Sequence, residues 1–79
     1  MEVTVKLFGN LGHYIPDGGN RFSFAQPLDE GATVHDMLKV LKIPEEMALI
    51  AIVNGIQVDR DHVLRHRDEV NVFRPSGGG

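Results

Sequence analysis

Apolar and polar residues alternate at the start of the chain, with Val3, Val5 and Leu7 set against Glu2, Thr4 and Lys6. At the two-residue period of a strand this puts three aliphatics on one face, so residues 2 to 8 are predicted to form a half-buried first strand. Gly9 to Asn20 then brings Gly9-Asn10, Gly12, Pro16 and Asp17-Gly18-Gly19-Asn20. These residues reach positive φ or fix φ cheaply, and they predict a long turn region. Alternation resumes over Arg21-Phe22-Ser23-Phe24-Ala25 with both phenylalanines on one side, a second strand that pairs with the first as a hairpin.

The period changes after Pro27. Thr33 followed three residues later by Asp36 is a capping-box spacing, and Val34, Met37, Leu38 and Leu41 recur at i, i+3, i+4 and i+7. A helix is predicted from Val34, with one apolar stripe to lay on a sheet and Pro44 as its stop. Leu49-Ile50-Ala51-Ile52-Val53 is a continuous apolar run, read as a buried strand, and it ends at Asn54-Gly55, the pair best suited to a type I′ hairpin turn. Ile56-Gln57-Val58 is the return strand. Residues 59 to 68 are predicted to be a loop anchored by Val63 and Leu64, and Val70-Asn71-Val72-Phe73 is the last strand.

The order strand-strand-helix-strand-strand-strand predicts an α+β fold, a mixed sheet with one helix across one face. Right-handed crossover rules allow the last strand to lie parallel to the first at the sheet centre. If Val3, Val5 and Leu7 face the helix, then Phe8, Ile52 and Phe73 fall on the uncovered face or its rim. There they form either an interaction patch or a supplement to the core. One domain is expected over residues 1–74, followed by a tail, 75–79, that leaves the sheet as a free arm.

Composition narrows the function classes. At 79 residues there is room for one core, and 42% hydrophobic with 24% charged residues fits an ordinary globular chain rather than a disordered one. A net charge of −3 with only four Phe and one Tyr offers neither a basic field nor a stacking platform for nucleic acid. No apolar run is long enough for a membrane span, the first residues alternate where a signal peptide would be continuously apolar, and there is no cysteine. A cytoplasmic protein that contacts neither nucleic acid nor membrane is the expectation.

Candidate chemistry in the side chains is thin. His62 and His66 are four apart but in a predicted loop, and His13 and His35 stand alone, so all four read as surface histidines and no metal site is expected. The acidic residues Asp59, Asp61, Asp68 and Glu69 lack the spacing and glycine of a calcium loop. Gly9-Asn10-Leu11-Gly12 lacks the Gly-Lys-Ser/Thr ending of a phosphate loop. What stands out is the ending Arg74-Pro75-Ser76-Gly77-Gly78-Gly79. Glycine adds no packing and is costly to order, but a backbone without Cβ can thread a narrow channel and present its carboxylate there. On composition alone this is either a frayed end or a functional arm.

Val3-Thr4-Val5-Lys6-Leu7-Phe8, Gly31-Ala32-Thr33-Val34, Ile52-Val53-Asn54-Gly55, and Asp68-Glu69-Val70 running through Phe73 and Pro75 to Gly78-Gly79 together resemble the MoaD/ThiS family of ubiquitin-like, β-grasp sulfur carriers. The likeness covers nearly the whole chain, and the spacing from Val70 to the terminal diglycine carries most of it. Arg74 stands where members often have a second proline and Gly77 where they often have a larger residue, which implies a more flexible arm.

The resemblance implies that a ubiquitin-activating-type adenylyltransferase uses ATP to adenylate the Gly79 carboxylate, after which a persulfide sulfur displaces AMP and leaves a thiocarboxylate. The chain would then be a cosubstrate rather than an enzyme and would bind no cofactor itself. Its expected partner surface comprises Gly78, Gly77, Phe73, Arg74, Pro75, Ile52 and Phe8, used with the activating enzyme and with a sulfur-transfer or synthase large-subunit partner. The long Gly9 to Asn20 connection is similar to that of MoaD-type members, which implies the small subunit of molybdopterin synthase over the thiamin-type carrier. A covalent protein modifier and a non-covalent ubiquitin-like binding module are the alternatives.

Overall fold

The computed structural model describes residues 1–16 and 23–75. Along them lie β1 (Glu2–Leu7), a 3-10 helix (Gly9–Tyr14), β2 (Phe24–Pro27), α1 (Val34–Val40), β3 (Ile50–Val53), β4 (Ile56–Val58) and β5 (Glu69–Phe73). The sheet order is β2-β1-β5-β3-β4. β1 and β5 pair in parallel, with Val5 beside Val70 and Leu7 beside Val72, while the other three pairings are antiparallel. This is the β-grasp architecture, with the last strand parallel to the first at the sheet centre, as the strand order predicted.

One side of the sheet is closed by α1. Val3, Val5, Val70 and Val72 at the sheet centre are at most 1% exposed, and they meet Val34, Met37, Leu38 and Leu41 of the helix stripe, all buried. Strands that pair on both edges and lie under a helix have no water on that face, which is why β-branched valine fills it.

The helix begins where the capping box places it. The Thr33 N–H donates to Asp36 Oδ2 (2.9 Å), and the Asp36 N–H donates to Thr33 Oγ1 (3.2 Å). Carbonyls of the 60–64 loop accept the remaining first-turn donors, Val34 N–H to His62 O (3.0 Å) and His35 N–H to Arg60 O (2.9 Å). A helix N-terminus leaves its first N–H groups without partners, so this loop is held in place by the helix it serves.

Several expectations need correction. The helix ends at Val40, four residues before Pro44, in a Schellman motif. There the Ile43 N–H donates to Leu38 O (3.0 Å), the Lys42 N–H donates to Lys39 O (2.9 Å), and Lys42 is left-handed at φ 63. Hydrogen bonding closes this helix before the proline ring can. Among the described residues β2 runs from Phe24 to Pro27, without Ser23 and two residues past Ala25, because its ladder to β1 pairs Val5 with Phe24 and Glu2 with Pro27. Arg21 and Phe22 lie outside the described residues.

Of the two loop anchors only Leu64 is buried. Val63 bridges Thr33 through its backbone and leaves its side chain 53% exposed. The run Leu49 to Val53 is not uniformly buried either, since Ala51 and Val53 face the core while Leu49, Ile50 and Ile52 are half-buried. The turn between β3 and β4 is as expected, with Asn54 at φ 51 and Gly55 at φ 86, the two positive values a type I′ turn requires.

Candidate functional site

Strand parity sends every second residue of β1, β5 and β3 to the side of the sheet that α1 does not cover. Phe73 stands beside Ile50. The Phe8 N–H donates to Val72 O (3.0 Å), which carries the parallel ladder one residue past Leu7 and brings Phe8 alongside Phe73. The outcome is an apolar row, Phe8, Phe73 and Ile50, across three strands at the end of the sheet where β5 gives way to Arg74 and Pro75. A second row runs Lys6, Asn71, Ile52 and Gln57 in register across β1, β5, β3 and β4. A third, with Thr4 beside both Glu69 and Ala25, is polar or small.

The face is thus graded, apolar at the exit of β5 and polar at its opposite end. Phe8 is 46% exposed, and Ile50, Ile52 and Phe73 are half-buried. Large apolar side chains gathered in one exposed area mark an interaction surface.

The entry to β5 is fixed by a side-chain clasp. Asn54 Nδ2 donates to Asp68 Oδ1 (2.9 Å), the Glu69 N–H donates to Asn54 Oδ1 (3.0 Å), and the Arg65 N–H donates to Asp68 Oδ2 (2.8 Å). The β3–β4 turn therefore sets the register with which β5 crosses the sheet, and so where its far end emerges.

Of the predicted site residues, the fold brings Phe8, Phe73 and Ile52 onto this one face. Arg74 and Pro75 follow directly from it and are exposed. Gly77, Gly78 and Gly79 lie outside the described residues. Sequence reasoning missed Ile50 and Lys6. Counting parity back from the Asn54-Gly55 turn separates Ile50 and Ile52 from Ala51 and Val53, which hydrophobicity alone cannot do in a run where every residue is apolar. Among the described residues no cluster of three or more His, Cys, Asp or Glu side chains could hold a metal ion, and no helix is long and apolar enough to cross a membrane.

Comparison with known proteins extends the likeness. No curated protein sequence matches the chain significantly. Among solved structures it is similar to molybdopterin converting factor subunit 1 from Pyrococcus furiosus, with 27% identity over 94% of this chain and 97% of that one and a TM-score of 0.73. SAMP1 from Haloferax volcanii shares 19% identity with full coverage of both chains and a TM-score of 0.74. A chain of the complex of subunits 1 and 2 of molybdopterin-converting factor from Helicobacter pylori shares 18% identity, again with full coverage, at a TM-score of 0.63. The last two likenesses concern the fold. The sequence profile of the ThiS family matches residues 5–79, nearly the entire length. The chain belongs to the ThiS family, the ubiquitin-like β-grasp sulfur carriers.

Proposed function

We propose that this protein carries sulfur as a thiocarboxylate on its terminal glycine, Gly79, and that the apolar end of its open sheet face docks the proteins that load and unload it. The observation that carries this reading is the row Phe8, Phe73 and Ile50, set at the strand end from which the chain continues to Gly77-Gly78-Gly79. A partner that grips this row is positioned to receive the following residues in its own active site.

The chemistry asks little of the carrier. Attack of the Gly79 carboxylate on the α-phosphorus of ATP expels pyrophosphate and gives an acyl adenylate. In the second step the outer sulfur of a persulfide displaces AMP to give an acyl disulfide. A thiol then attacks the donor's sulfur and breaks the S–S bond, so that the thiol and the donor leave as a disulfide and the outer sulfur stays on the glycine carbonyl as the thiocarboxylate. Both steps belong to a partner adenylyltransferase, which fits a chain with no cysteine. The carrier supplies a handle and an end without side chains, in the manner of a cosubstrate rather than a catalyst, and the domain over residues 1–74 with the tail over 75–79 divides along the same line. Likeness to the Pyrococcus furiosus subunit supports the molybdopterin type, in which a synthase large subunit is the second partner on the same face. A cytoplasmic location suits a carrier that works with ATP-using enzymes.

Incubation with ATP, a ubiquitin-activating-type enzyme and a persulfide donor, followed by intact-mass measurement, tests the reading. The expected product is a chain with one oxygen replaced by sulfur, absent when Gly79 is deleted and reduced at least about tenfold by Phe73→Asp, since central interface anchors carry most of the binding energy. Lysine-linked conjugates with no thiocarboxylate would overturn it in favour of a covalent modifier.

A further inference from the structure

The chain holds four asparagines, and only Asn54 is followed by glycine, the others preceding Leu11, Arg21 and Val72. That difference is chemical. A backbone nitrogen can attack the side-chain amide of the asparagine before it and close a five-membered succinimide ring. A following residue without Cβ leaves that nitrogen open and its backbone free to turn. Asn54 and Gly55 are both exposed, and among the described residues nothing but the chain neighbours lies within 4 Å of where a Cβ on Gly55 would stand. Water and base therefore reach the pair.

The fold holds the same amide at both of its polar atoms. Asn54 Nδ2 donates to Asp68 Oδ1 (2.9 Å) and Asn54 Oδ1 accepts from the Glu69 N–H (3.0 Å), while the Asn54 N–H donates to Glu69 O (2.9 Å). Ring closure undoes this tie, because Cγ has to turn onto the Gly55 nitrogen and Nδ2 departs as ammonia. In a free peptide nothing opposes that step. In the folded chain it waits for the clasp to open, a local event that leaves the core closed.

The product does not fit back. Water opens the succinimide at either carbonyl, giving aspartate or isoaspartate. The first puts a carboxylate where Nδ2 donated, facing an Asp68 that is fixed on all sides. Its Oδ2 accepts from the Arg65 N–H (2.8 Å), its carbonyl accepts from the Thr4 N–H (2.9 Å), and its own N–H donates to Arg65 O (3.1 Å). Two ionised carboxylates at hydrogen-bond distance repel. Isoaspartate instead adds a main-chain carbon to a turn whose φ values of 51 and 86 reverse the chain in two residues.

We propose that Asn54 is a modification site, an Asn-Gly step whose amide the β5 clasp shields and whose deamidation, once the clasp has opened, keeps it open. The atoms balance with water alone. The bond from the Gly55 nitrogen to Cγ forms as the Cγ–Nδ2 bond breaks, the Gly55 N–H proton leaves with the amide as ammonia, and one water adds across the ring bond that reopens. The chain thereby records an opening at the start of the strand that leads through Phe73 to the tail, in a form that reclosing does not erase.

Ageing the full chain in mildly alkaline buffer, beside a terminally blocked peptide of residues 51–60, tests this without reference to sulfur loading. Intact mass reads the replacement of NH2 by OH, and peptide mapping gives its position. Residue 54 is expected to convert at least about tenfold more slowly in the folded chain than in the peptide. Asp68→Ala, which frees Nδ2, is expected to convert about tenfold faster than the parent chain, the factor that one charge-assisted hydrogen bond is worth. Dispersion of the amide spectrum reports that this variant is folded. Asn54→Asp gives the product directly, and it is expected to speed hydrogen exchange of the Glu69 N–H about tenfold or more while the Val5 and Val72 amides keep their rates. Conversion as fast in the folded chain as in the peptide, a folded Asp68→Ala chain that ages at the parent rate, or Glu69 exchange unchanged by Asn54→Asp would each overturn the proposal.

Discussion

On the covered side of the sheet Val3, Val5, Leu7, Val70 and Val72 are all buried, whereas on the open side Phe8, Ile50, Ile52 and Phe73, equally apolar and partly larger, remain in contact with solvent. The two sets alternate residue by residue along the same strands, so composition does not separate them; the placement of α1 does. Domains of this size bury a modest share of their surface, which makes large apolar side chains left half in water a cost to stability. Their grouping at the exit of β5 shows where that cost is concentrated, and it is the end of the sheet that a partner of the tail would meet.

Leu7 and Phe8 put the contrast into two neighbouring residues. Leu7→Ala is expected to lower the unfolding free energy by about 2–5 kcal/mol, the range for truncating a buried leucine, which is a large part of the total for a chain of this length. Phe8→Ala, on the open side, is expected to cost less than about 1 kcal/mol while sharply weakening the complex with an activating enzyme. Denaturant unfolding and a binding titration on both variants separate the two effects. Equal destabilisation would mean that the open face is simply more core.

The same contrast explains what could be read from the chain. β1 was legible because its faces differ in chemistry, Val3, Val5 and Leu7 against Glu2, Thr4 and Lys6, and β5 because it shows the same alternation. β3 was only half legible, since Ile50 and Ile52 are as apolar as the residues facing inward and only the register set by the Asn54-Gly55 turn sorts them. The long connection concealed a 3-10 helix at Gly9–Tyr14, whose Leu11 is fully buried. Its glycines signal a turn, and one aliphatic in such a segment does not reveal a packed element. Val63 was misjudged for a related reason, because pairing its backbone with Thr33 does not decide where its side chain goes.

If the cover decides which face is core, loosening the start of α1 should weaken the covered face and leave the open one intact. Thr33→Ala removes the hydroxyl that accepts the Asp36 N–H and is expected to cost about 1 kcal/mol, the usual value of a helix cap. The reciprocal bond titrates. The Thr33 N–H, and after it the Thr33 hydroxyl, hold the Asp36 carboxyl below its ordinary value of 3.8. A carboxylate with a depressed folded pKa stabilises fully above its unfolded value and loses that contribution as pH falls through the folded one. Thermal unfolding should therefore show stability falling below about pH 4, with a shallower acid slope in Asp36→Asn, whose amide oxygen still accepts the bond but carries no charge to neutralise. An unchanged slope would place the acid sensitivity elsewhere.

The smallest effect sits at the other end of the helix and runs in the opposite direction. Lys42 occupies the left-handed position of the Schellman motif at φ 63, where a Cβ crowds the neighbouring carbonyl and glycine does not. Both hydrogen bonds of the motif are donated by the backbone, and the Lys42 side chain is exposed, so Lys42→Gly keeps the bonds and relieves the strain. Glycine also widens the unfolded ensemble, which offsets part of the gain, and the expected net is about 0.5–1 kcal/mol of added stability. The substitution lies on the covering element, away from Phe8, Ile50, Ile52 and Phe73, so it should raise the denaturation midpoint while affinity for an activating enzyme stays at the wild-type level. A tighter cover that also altered docking would mean that the two faces are coupled through the sheet and that the division between them is less clean than their burial suggests.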